Sequence, residues 1–142
     1  MRRLSAWLLP TMLVFIGPFA ARLVMAETPP ENGVLLEAEA FTHRGGWVID
    51  QQAVYVMGSP YLLADGLGVL VEDATTDIVI PVAGRYRVWV RTRDWVAPWN
   101  APESPGRFQV IIEGRQLETT FGIEGAAWHW QDGGSLQLTA SR

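Results

Sequence analysis

The sequence predicts an all-β domain, most simply a β-sandwich, and three observations carry that expectation. Short runs of β-branched and aromatic residues recur at close intervals, separated by Gly- and Pro-containing turns. Residues 85–93 alternate side-chain character with a period of two. Nothing beyond residue 26 sustains a helical period, and no internal repeat is visible.

The 142-residue chain has room for one domain and contains no cysteine, so no disulfide braces it and a hydrophobic core must carry its stability. Its first 26 residues have the order of a secretory signal peptide. Arg2 and Arg3 precede the uncharged, mostly apolar run Leu4 to Ala21, and Val24-Met25-Ala26 supplies a small-x-small cleavage pattern. Pro10 and Gly17-Pro18 interrupt that run, which weighs against a membrane anchor. Export by the general secretory route, to the periplasm or beyond, is the expectation. Residues 27–33 then read as a disordered polar leader and 34–142 as the folded module.

Cleavage after Ala26 leaves eight arginines against fifteen acidic residues, a net charge of −7. Such a balance argues against nucleic acid, whose binding depends on neutralising phosphates. A divalent cation or a neutral sugar is compatible with it. After cleavage no membrane partner is expected.

Along the module, Val34 to Phe41 is too short to assign to a strand or a helical turn, and Gly45-Gly46 ends it. Trp47 to Asp50 begins a strand, and Val54 to Met57 is β-prone up to the Gly58-Ser59-Pro60 turn. Tyr61 to Leu70 reads as a loop leading into a strand. Asp77 to Val82 and Arg85 to Arg93 read as a hairpin about Ala83-Gly84. In its second arm Tyr86, Val88, Val90 and Thr92 form one face, and Arg85, Arg87, Trp89, Arg91 and Arg93 the wet one, the mark of an antiparallel sheet. Arg107 to Ile112 and Gln116 to Phe121 flank a tight turn at Glu113-Gly114, and Ser135 starts a last strand.

Catalytic signatures are absent from the sequence: there is no cysteine nucleophile, no Gly-x-Ser-x-Gly elbow and no phosphate loop. His43 and His129 are the only histidines and lie far apart, and Gly66-Leu67-Gly68 lacks the third glycine of a dinucleotide fingerprint. No catalytic residue is therefore assigned.

Two constellations stand out. Were Glu37-Ala38-Glu39 part of a strand, both carboxylates would project from one face and could converge on calcium, against the plainer reading of two solvent-facing glutamates. The stretch from Arg93 to Gly106 carries Trp95 and Trp99 in a Pro-stiffened loop, where an outward indole offers a flat face to a pyranose and Asp94 and Asn100 offer hydrogen bonds to its hydroxyls. Trp128 and Trp130 form a second cluster. Against the ligand reading stands the alternative that these indoles cap the end of the core.

Glu37-Ala38-Glu39, the segment Ala83 to Arg91 and the Val110 to Gly114 turn resemble calcium-containing jelly-roll carbohydrate-binding modules. Arg44 to Trp47, Met57 to Leu63, Arg91 to Trp99 and Trp128 to Gly134 resemble the β-sandwich portion of secreted bacterial FAD-dependent oxidoreductase-like proteins. The resemblance runs from about Leu35 to the end. It implies a jelly-roll (galactose-binding-like) sandwich, a structural calcium held partly by Glu37 and Glu39, and a polysaccharide or glycan ligand. Those modules close with a final strand that has no visible counterpart here, which implies a fragment or a diverged end with an unpaired edge. Their flavin-binding region is also missing, so no FAD site and no redox activity carry over.

The leading expectation is thus a secreted, non-catalytic carbohydrate-binding module, a portion or accessory of a larger oxidoreductase-like protein. Two rivals remain. One is an interaction domain packing against a catalytic domain, with Trp95, Trp99, Trp128 and Trp130 as its apolar patch. The other is a small polysaccharide-active enzyme using carboxylates such as Asp94 and Glu103.

Overall fold

A computed structural model describes residues 33–66, 69–99, 101 and 103–141. The signal-peptide and most of the leader expectations, and Asn100, lie outside these residues. The chain is all-β, with strands β1 (Trp47–Asp50), β2 (Tyr61–Ala64), β3 (Gly84–Thr92), β4 (Ile111–Ile112), β5 (Arg115–Gln116) and β6 (His129–Leu138). Among the described residues helix is confined to one turn, α1 (Val54–Met57), and two 3-10 turns at Ala38–Ala40 and Ala97–Trp99. Among the described residues no helix is long and apolar enough to cross a membrane.

The strands form three antiparallel pairs, β1–β2, β3–β6 and β4–β5. The predicted alternation of β3 holds as far as Val90: Tyr86, Val88 and Val90 are half-buried and Arg85, Arg87 and Trp89 exposed. Arg91 and Arg93, expected on the wet face, are instead half-buried, Arg91 against the end of α1 and Arg93 against Trp95 and Trp128. Its partner differs from expectation. Residues 77–82 form no strand. Pro81 has no N–H for a ladder, and the backbone of Ile80 is engaged instead by Ser141, through Ile80 N–H to Oγ at 2.9 Å and Ser141 N–H to the Ile80 carbonyl at 3.0 Å. β3 pairs with β6, from Gly84 opposite Leu138 to Thr92 opposite His129. β6 thus begins six residues before the expected Ser135.

The β3–β6 register slips by one residue between Arg87 and Trp89, where Arg87 faces Ser135 and Trp89 faces Asp132. Gly133 and Gly134 together oppose Val88, which makes a β-bulge with Gly134 at φ 84°. A Cβ on Gly133 would lie 3.0 Å from Cζ of Phe121, so this glycine lets the ribbon settle onto the core.

Other departures have equally local causes. Val54–Met57 closes as a helical turn despite its β-prone residues. Gly58 caps it in the left-handed region, donating its N–H to the Val54 carbonyl, and Arg91 of β3 donates to the carbonyls of Val56 and Met57. The strand expected after the 61–70 loop comes at its start, as β2. The Glu113-Gly114 turn is confirmed, both residues having positive φ (50° and 72°) as a two-residue hairpin requires. Two residues on either side form the strands, and the arms meet again at an antiparallel Phe108–Phe121 bridge.

Phe121, fully buried, centres the core with Leu138, Ile80 and Leu117. Phe108 stacks on it at 5.5 Å between ring centres and meets Trp47 of β1 edge-on at 5.8 Å. That column ties the β1–β2 hairpin to the body of the domain.

Candidate functional site

The seven tryptophans of the chain include two that belong to a half-buried interior cluster and three that face solvent. The interior cluster forms where β3 ends. Tyr61, buried on β2, packs 4.7 Å from Trp128 and 6.5 Å from Trp95, measured between ring centres. The Arg93 guanidinium lies 4.8 Å from the Trp95 ring centre and 6.0 Å from that of Trp128. Cation–π attraction of this kind contributes about 0.5–1 kcal/mol at partly exposed sites. The Tyr61 hydroxyl, the Trp128 indole nitrogen and Arg93 Nε are buried there without a hydrogen-bond partner among the described residues. Burial, reinforced by the neighbouring Asp50 carboxylate, raises the Tyr61 pKa above the ordinary phenol value.

Asp94, expected to bind sugar hydroxyls, is buried and turned into its own loop. Its carboxylate accepts from Val96 N–H at 3.1 Å and from the Ser104 hydroxyl at 3.0 Å, while its own N–H donates to the carbonyls of Glu124 and Gly125. The short acidic side chain folds the 94–104 loop back on itself, as an Asx turn does. Trp95 and Trp128, half-buried against Tyr61 and Arg93, likewise serve this packing. Glu103 is exposed.

Of the sequence-predicted aromatic residues, two face solvent. Trp99, on the 3-10 turn, is 67% exposed, and Trp130, on β6, is 56% exposed. Trp128 and Trp130 are separated by a period of two but differ in burial because Trp128 precedes the strand and turns toward Tyr61.

Trp130 has a neighbour that sequence reasoning left out of the site. It stands opposite Arg91, and Trp89 stands opposite Asp132. Directly opposed residues of an antiparallel pair share a face, so Trp89 and Trp130 are diagonal neighbours on the outer face of the β3–β6 ribbon. Trp89 is 51% exposed, with the Arg87 guanidinium 5.4 Å from its ring centre. Arg87 is held by an ion pair with Asp132, which lowers the Asp132 pKa, aided by the Gly134 N–H. The signal for Trp89 was its place on the wet face of an alternating strand, where an indole is out of keeping.

Glu37 and Glu39 sit differently from the strand geometry on which a shared calcium would rest. Glu37 precedes the 3-10 turn in extended backbone, with no capping bond from its side chain, and Glu39 lies within the turn. At three residues per turn, positions two apart point to different sides. The Ser59 hydroxyl reaches Glu37 at 3.5 Å, and no group of three Asp, Glu or His side chains suited to a metal occurs among the described residues. The two carboxylates alone do not fit an ion that takes six to eight oxygens.

Comparison with protein-family models, curated proteins and solved structures gave no match to the chain.

Proposed function

We propose that the chain is a secreted jelly-roll module that binds polysaccharide by stacking pyranose rings on solvent-facing indoles. In this reading it has no catalytic role itself and serves as the accessory portion of a larger oxidoreductase-like protein. The observation that carries the reading is the Trp89–Trp130 pair, two half-exposed indoles on one face of a two-stranded ribbon. Large aromatics gain by burial, and here the fold holds both at the surface. An indole on a strand is positioned without a loop's entropy, so a ligand pays little ordering cost. Trp99 provides a further exposed ring. The enzyme alternative loses support because the Asp94 carboxylate is committed to Val96 and Ser104. A structural calcium on Glu37 and Glu39 belongs to the resemblance alone and plays no part in the sugar site.

Migration of the full chain through gels containing different polysaccharides tests the proposal. Retention by at least one glycan, lost in Trp89→Ala and Trp130→Ala, is expected. Retention unchanged in both variants overturns the stacking site.

A second reading, an interaction domain, is favoured by a different observation. Leu35, Tyr55, Val69 and Leu70 are all more than 70% exposed, large apolar side chains that a partner surface could cover. Copurification with a catalytic partner, unaffected by substitution of Trp89 and Trp130, would support it.

A further inference from the structure

Resting on the reading of Trp89 and Trp130 as a stacking platform, we infer that its ligand is an acidic polysaccharide carrying carboxylates, a polyuronate, rather than a neutral glycan. The chain is acidic as a whole, yet four of its eleven arginines fall between residues 85 and 93, a stretch without a single Asp or Glu. Three of them, Arg85, Arg87 and Arg91, share the outer face with both indoles, and the register there places Gln137, Ser135, Asp132 and Trp130 opposite. One acidic side chain, Asp132, thus faces three guanidiniums and two indoles. At the usual strand rise the row from Arg85 to Arg91 extends about 20 Å, long enough for a polymer rather than a single sugar.

The three arginines are differently committed. Arg91 is fixed at one end of the row, its guanidinium bonded to the carbonyls of Val56 and Met57 at 2.9 and 3.0 Å, where it completes the end of α1. Arg87 is paired with Asp132 and drawn over Trp89. Arg85 is exposed and makes no hydrogen bond or ion pair among the described residues. Arg85 stands four residues from Trp89 along β3, about 13 Å at the usual strand rise. The carboxylate it would meet therefore belongs to a later unit of a polymer whose pyranoses carry carboxylates, not to the ring stacked on the indole. The indole takes the C–H face and the planar N–H fork takes the two oxygens. Local positive charge on an otherwise negative molecule also directs an anionic chain to this face.

The test is affinity electrophoresis of the full chain in polygalacturonate, alginate, a neutral β-glucan and dextran sulfate, at low and high salt. Retention by a polyuronate is expected, weakened by salt, and reduced about tenfold in Arg85→Gln as one charge-assisted contact is lost. Arg44→Gln, an exposed arginine in the turn before β1 and outside the β3–β6 ribbon, serves as the charge control and should bind as wild type. Retention by the neutral glucan alone, lost in Trp89→Ala, overturns the acidic ligand and leaves the stacking platform standing. Retention by dextran sulfate equal to that by polyuronate, and insensitive to Trp89→Ala, shows only diffuse charge attraction and also overturns it. No retention by any of the four defeats the sugar-binding reading itself.

Discussion

Arg87 lies over the indole of Trp89, 5.4 Å from its ring centre, while its guanidinium is ion-paired with Asp132 on the facing strand. The pair sits beside the bulge at Gly133-Gly134, and the Gly134 N–H donates to the Asp132 carboxylate at 3.0 Å. A backbone irregularity thus aims an acid, the acid holds an arginine, and the arginine holds a tryptophan. Arg87 and Asp132 depress and raise each other's pKa in the usual sense: Asp132 is lowered and Arg87 raised.

That coupling is measurable by pH. A carboxyl whose folded pKa is depressed contributes stability above its unfolded pKa and loses it as pH falls through the folded one. Asp132 should therefore titrate below the ordinary aspartate range in a carboxyl NMR experiment, the hydrogen bond from Arg87 being the largest cause. Arg87→Gln is expected to bring it back toward that range. A titration unmoved by the substitution would mean that Gly134 alone holds the carboxylate.

Four tryptophans, Trp89, Trp95, Trp128 and Trp130, should separate into two classes. Trp89→Ala and Trp130→Ala remove half-exposed rings and are expected to abolish glycan retention while changing stability by less than about 1 kcal/mol. Trp95→Ala and Trp128→Ala remove rings packed on Tyr61 and Arg93 and should cost about 3 kcal/mol or more by urea denaturation. Equal behaviour of the two classes would dissolve the distinction between platform and packing.

The sequence made some of this legible and hid the rest for identifiable reasons. Alternation along β3 is written in the chain itself, because the side-chain period of a strand needs no knowledge of its partner. The partner was not legible: Leu138 lies 54 residues from Gly84, and a local reading favours the adjacent 77–82 segment. Val54 to Met57 has the residues of a strand, and its helical turn depends on Arg91, supplied from another element. Trp130 was legible as a candidate but Asp94 was misjudged, since nothing in its spacing shows that Ser104 will reach back to it.

Tyr61 offers a test of the interior cluster. Its hydroxyl is buried beside the Asp50 carboxylate but makes no hydrogen bond of ordinary geometry among the described residues, so little offsets its desolvation. Tyr61→Phe is expected to leave the midpoint of thermal unfolding unchanged or raise it. The phenol pKa is raised in the folded state, so the neutral ring's contribution is present below the unfolded value near 10 and lost as pH climbs through the folded one. The variant should accordingly show a shallower loss of stability in alkaline solution. A clear drop in stability at neutral pH would reveal a partner for the hydroxyl.

Calcium is tested by chelation. The 3-10 turn at Ala38–Ala40 directs Glu37 and Glu39 to different sides, so convergence on one ion would require the turn to open. The expected result is a melting temperature that does not respond to a chelator or to added calcium. A shift that grows with calcium concentration would show binding to the native state and restore the site.

The glycines of the bulge make the last prediction, because they are there for different reasons. At Gly133 the obstacle is contact: an added Cβ would lie 3.0 Å from Cζ of Phe121 and 3.2 Å from Cδ1 of Leu117, both buried. Gly133→Ala should cost about 1–3 kcal/mol, the range for overpacking a core. At Gly134 there is open space around the missing Cβ, and the obstacle is φ of 84°. Gly134→Ala should cost about 1–2 kcal/mol, the penalty of a left-handed conformation. Asparagine tolerates that conformation better than alanine but is larger. Gly134→Asn should therefore recover part of the loss, whereas Gly133→Asn should be worse than Gly133→Ala. Equilibrium urea unfolding of the four variants reads both orders, and the same order at both positions would show that one constraint governs the whole bulge.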